Sequence, residues 1–103
     1  MFQHDVYFWL KEDLTEAEKE EFHASLKTLL DISTIERGFI GTPIPSERAV
    51  VDDTFSVCLQ VTFKDAAGHD QYQVDPLHTS FLEKNNTKWT QVRIYDTAFD
   101  EKA

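Results

Sequence analysis

The chain has 103 residues, and ten Lys and Arg against nineteen Asp and Glu leave it a formal charge of −9. That length gives one domain, residues 1–103, with a modest core that a partner subunit would help to close. The negative field repels phosphate backbones and anionic lipid surfaces, so nucleic acid and membranes are not expected as partners.

Residues alternate from Phe2 to Lys11, with Phe2, His4, Val6, Phe8 and Leu10 on one side and Gln3, Asp5, Tyr7, Trp9 and Lys11 on the other. This is a strand with two distinct faces. An acid and a His inside the stretch, and the lack of a small-residue cleavage site, argue against a signal peptide or membrane span. Thr15 followed by Glu18 is a capping box, and Phe22, Leu26, Leu29 and Leu30 then recur at helical spacing, which predicts a helix from about Glu16 to Asp31. The acids of "KEDLTEAEKEE" read as its solvated face.

"STIERGFIGTPIP" predicts an irregular or edge strand, followed by the polar loop "SERAVVDD". "TFSVCLQVTF" is a clearer strand, with Phe55, Val57, Leu59, Val61 and Phe63 on one face and Thr54, Ser56, Cys58, Gln60 and Thr62 on the other. As the single cysteine, Cys58 has no internal disulfide partner, which suits a reducing, cytoplasmic setting. Asp65 starts a second helix carrying Tyr72, and Asp75-Pro76 restarts it, since Asp caps amides and proline suits the first helical position. The restarted piece is expected to reach about Lys84, with Leu77, Phe81 and Leu82 inward. A last strand, Lys88 to Thr97, sets Val92, Ile94 and Asp96 against Gln91, Arg93 and Tyr95.

Strand, helix, strand, strand, helix, strand is the order of the α+β ferredoxin-like sandwich, βαββαβ, with the first strand between the third and fourth. The helices then cover Val6, Phe8, Leu59, Val61, Val92 and Ile94. The opposite face displays Tyr7, Trp9, Cys58, Gln60 and Tyr95, too aromatic to leave in water, so a homodimer is expected to cover it. Cys58 reads there as a small apolar residue rather than a nucleophile.

Antiparallel pairing of the first and last strands should bring His4 to Asp96, and His78 and Tyr72 lie over the same end of the sheet. Two imidazoles, a carboxylate and a phenol would then line one pocket, its apolar wall including Phe81 and Trp89. In it His78 would exchange protons, Asp96 would orient it, and Tyr72 would polarise a carbonyl. The alternative is that Asp96 merely satisfies a partly buried imidazole. A metal site of His4, His78 and Asp96 has no local ligand motif behind it, and no metal is expected. His23 and His69 read as exposed. "GFIG" lacks the spacing of a phosphate loop.

"HDVYFWLK", "LQVTFKDAAGHDQYQVDPLHTSF" and "WTQVRIYD" together resemble the stress-responsive α/β-barrel (Dabb) domain family over nearly the whole chain. The most specific element is the tyrosine, three residues, proline, one residue, histidine pattern, Tyr72 to His78. The family often has a second histidine where this chain has Asp75, and a Pro-Gly turn where it reads "DISTIERG". The resemblance implies a dimeric α/β barrel, in many members without an established reaction. One branch resembles a plant polyketide cyclase that performs an aldol condensation without metal or cofactor. Carried over, His78 would be the base, Asp96 its orienter and Tyr72 the carbonyl partner. The rival expectation is a stress-associated dimer that binds a small apolar or aromatic ligand without chemistry. A cofactor-independent oxygenase of similar barrel fits the Pro and His signature less well.

Overall fold

The computed structural model describes residues 1–100. Alternation makes β1 (Phe2–Leu10) a strand whose side chains His4, Val6 and Phe8 are buried on one side. Helix α1 (Glu16–Leu29) begins on the expected capping box: the Glu18 amide donates to the Thr15 hydroxyl, and the Thr15 amide donates to the Glu18 carboxylate. Phe22, Leu26 and Leu29 form its buried stripe, and Leu30 caps it, so Asp31 lies beyond its end.

Strand β2 (Ile35–Gly41) lies at a sheet edge with a register shift between Ile35 and Arg37. Strand β3 (Val57–Phe63) follows an irregular connection. Asp65 caps α2 (Ala66–Val74), Asp75 caps α3 (Pro76–Asn85), and β4 (Trp89–Ala98) ends the fold. The order β2-β3-β1-β4 is antiparallel throughout, the ferredoxin-like arrangement with its second helix in two pieces. Its extents of 41 × 37 × 17 Å describe a thin two-layer slab. No helix among the described residues is long and apolar enough to cross a membrane.

Between the layers, Phe22 and Leu26 from α1 meet Phe8, Leu59, Val61 and Phe63 from the sheet. The aromatic rings of Phe8, Phe22, Phe81 and Trp89 stack or meet edge to face at 5.2–6.2 Å between centroids. Such pairs add packing beyond simple area burial.

Three expectations are corrected. Phe55 does not share the face of Val57: β3 starts only at Val57, and Phe55 crosses to pack on Tyr7 and Trp9, 4.9 and 6.5 Å away by ring centroids. Leu77 and Leu82 are partly exposed, because α3 turns only Phe81 and Asn85 fully inward. Val92 and Ile94 remain 40% and 49% exposed, since β4 is an edge strand that the helical layer overhangs incompletely.

The opposite face carries Tyr7 and Trp9 beneath Phe55, and Tyr95, which is 53% exposed. Phe39, paired with Gln60 and 57% exposed, belongs to the same face and was not singled out by the sequence pattern. Cys58 shares this face but is already buried within one chain, behind Gly41, where a Cβ would come within 3.2 Å of its sulfur.

Leu26 is fully buried at the centre of the slab. Leu26→Ala is expected to cost about 2–5 kcal/mol, lost transfer energy plus an unfilled cavity, read as a lower midpoint in urea unfolding.

Candidate functional site

The break between α2 and α3 sets the site. Pro76 has no N–H to donate to Tyr72, four residues back, so the helix cannot continue; the Asp75 amide donates to the Tyr72 carbonyl instead, at 3.2 Å. Asp75 turns extended and accepts the Leu77 amide at 2.9 Å, which restarts the helix. Tyr72 therefore lies in the last turn of one helix, His78 occupies the first turn of the next, and their rings meet edge to face at 4.8 Å.

Beneath this junction lies a cavity of about 230 Å³. Val6, Phe8, Leu59 and Phe81 form its apolar floor and wall. Trp89, Val92 and Ile94 line it from the β4 side, where the exposure of the last two marks the mouth. His4, Tyr72 and His78 supply the ionisable side chains. A larger depression of about 410 Å³ at the opposite end of β1 is lined by Lys11, Glu12, Lys19 and His23 among others. It lies away from the paired Tyr72 and His78, and the smaller cavity is the one with convergent chemistry.

The register of β1 and β4 pairs His4 with Asp96, and their side chains meet at 2.5 Å, Nδ1 to Oδ1. This corrects the expected arrangement: Asp96 is engaged by His4, so the histidine it orients is His4 rather than His78. The Nδ1 of His78 is buried without a hydrogen-bond partner.

His69 corrects a second expectation. It is only 8% exposed, stacks on Phe2 at 4.4 Å and 16°, and stands 4.7 Å from His4 by ring centroids. Its neighbours in sequence are polar, but the first turn of α2 lies over the start of β1. His23, by contrast, is exposed as expected.

Burial pushes His78 below the ordinary imidazole value; His4 and His69 nearby push the same way, and the Gln73 carbonyl and Asp75 offset part of it. The amino end of α3 also disfavours positive charge there. His78 is thus a neutral imidazole at neutral pH. Burial and the neighbouring His4 lower His69 as well, against smaller opposing effects of Asp96 and Asp70. Desolvation holds the Tyr72 phenol well above its usual range, so it keeps its proton and remains a donor. Burial also raises the Cys58 thiol, which stays protonated.

A two-layer ferredoxin-like α+β domain with an apolar cavity under a broken helix is the class that fold and site define. Residues 2–99 match the Dabb family, the stress responsive A/B barrel domain, and the chain belongs to that family. It is 23% identical over 95 residues to olivetolic acid cyclase of Cannabis sativa, spanning 91% of this chain and 92% of that one. A hydroxynitrile lyase from Passiflora edulis superposes with a TM-score of 0.82 at 17% identity, covering 99% of this chain and 95% of the lyase. A protein of unknown function from Bacteroides fragilis, described as dimeric and ferredoxin-like, gives 0.74 at 20% identity, covering 95% of each chain. At these identities the structural likeness speaks for the fold alone.

The depressed His78 fixes a sign for stability. Unfolding returns the ring to an ordinary value near 6.5, so below that pH the unfolded chain binds the extra proton. The contribution is complete above 6.5 and is lost as pH falls through the lower folded value. The urea midpoint should therefore fall between about pH 7 and about pH 5, and fall less steeply in His78→Gln.

Proposed function

We infer that the chain works as a homodimer binding a small apolar carbonyl compound in the cavity, and that His78 and Tyr72 move a proton on it. The observation that carries this reading is the contact of a neutral imidazole and a protonated phenol at 4.8 Å between ring centroids, both lining a cavity with largely apolar walls. At about 230 Å³ the space lies just under the roughly 300–1,000 Å³ of drug-sized sites, which suits a single ring with a short chain.

In the step proposed, His78 removes a proton from the carbon beside the carbonyl. The C–H electron pair passes into an enolate, whose oxygen accepts a hydrogen bond from the Tyr72 hydroxyl. The imidazolium that forms is a ready acid, because burial disfavours its charge, and it returns the proton to carbon or oxygen. Isomerisation needs no more than this; ring closure needs a second carbonyl in the same ligand for the enolate to attack. The similarity to olivetolic acid cyclase supports the second course.

One observation favours a reading without chemistry. Asp96 is spent on His4, which leaves His78 without a carboxylate to orient it. On that reading the same cavity only holds its ligand.

Deuterium uptake at the α-carbon of aryl methyl ketones in heavy water, followed by proton NMR, separates the two. Catalysis predicts accelerated uptake that His78→Gln lowers on the order of 10²–10⁴-fold while binding survives. The rate should rise with pH through the depressed His78 value and be level at neutrality, since the neutral ring is the active form. Binding with no accelerated uptake leaves the carrier reading.

The exposed Phe39 and Tyr95 on the face of Tyr7 and Trp9 support pairing of two sheets, as does the dimeric description of the Bacteroides fragilis protein. Sedimentation velocity should give a dimer that Tyr95→Asp converts to a folded monomer. A wild-type monomer at micromolar concentration would remove the dimer from the proposal.

A further inference from the structure

The geometry points to a divalent-metal site at the start of β1, formed by His4, His69 and Asp96 and taking zinc in preference to calcium or magnesium. The candidate ligand atoms of these three residues all lie within 4.8 Å of one another. They come from β1, α2 and β4, so no spacing in the sequence announces them. The site adjoins the Tyr72 and His78 pair, with the His4 ring 5.6 Å from Tyr72, but shares no residue with it and does not rest on the proton-transfer reading.

Two features argue for an ion rather than a packed histidine cluster. The side chains of His4 and His69 are only 5% and 10% exposed, and the Nε2 of His69 has no hydrogen-bond partner, an arrangement that costs free energy unless something ligates it. On the same ring Nδ1 stands 3.9 Å from the Asp70 carboxylate. At that distance Asp70, whose side chain is 79% exposed, is a charged neighbour and not a hydrogen-bond partner.

The donor set selects the ion. Two imidazoles and one carboxylate suit zinc and its neighbours, whereas calcium and magnesium require mostly oxygen. Three protein ligands leave at least one position open to water or a ligand atom. The Asp96 side chain is 45% exposed and gives an ion a route inward, while His4 also lines the cavity. The present His4–Asp96 contact of 2.5 Å is a hydrogen bond that places one proton between Nδ1 and Oδ1. If both atoms ligate, that proton leaves to solvent and the two atoms must separate slightly.

Chelator-stripped protein titrated with zinc chloride against a chromophoric chelator, and separately with cobalt chloride followed by visible absorption, tests the site. The expected result is one equivalent per chain, with cobalt bands of a four- or five-coordinate ion. His69→Phe, which keeps the stack on Phe2, and Asp96→Asn, at a half-exposed position, should each weaken affinity at least about tenfold. His23→Gln, on the exposed face of α1, should not. Absence of stoichiometric binding, or binding unchanged in both His69→Phe and Asp96→Asn, would overturn the assignment and leave only adventitious surface binding.

Discussion

The pairing of β1 on both of its edges governs the molecule. Antiparallel registers with β3 and β4 fix every second side chain of β1 toward the helices and the others toward the open face. A slip of one residue would turn Phe8 and Val6 outward and carry His4 away from Asp96. The same hydrogen-bond ladder therefore sets the core, the cavity and the polar cluster at its end.

Against that frame the helical layer has a second decision built in, at Asp75-Pro76. A continuous helix would carry Tyr72 and His78 at an angle set by helical geometry. The missing proline amide and the Asp75 cap replace that angle with one set by how α2 and α3 separately pack on the sheet. Phe81 anchors α3 from below and His69 anchors α2 against Phe2. The phenol and imidazole meet because two short helices are each held independently.

Much of this was legible in the chain because it rests on local rules. Alternation gave β1 and β3, hydroxyl and acid caps gave all three helix starts, and topology brought His4 to Asp96. The lining of the cavity by His4, Tyr72, His78 and the apolar residues of three strands follows from the same reasoning. What escaped depends on contacts between distant segments. His69 sits among polar neighbours and is buried only because α2 lies over Phe2. Phe55 obeys the alternation of β3 on paper, but the strand begins only two residues after it. That Asp96 bonds His4 and leaves the Nδ1 of His78 unpartnered depends on where the helix break sets His78, which no local pattern encodes.

Asp96 has a bearing on self-association as well. It is an acid on the inner side of an outermost strand, and a foreign strand docking along β4 would have to strip water from its half-exposed carboxylate. Runaway fibre growth from that border is discouraged by a single charge that the fold already holds in place for other reasons.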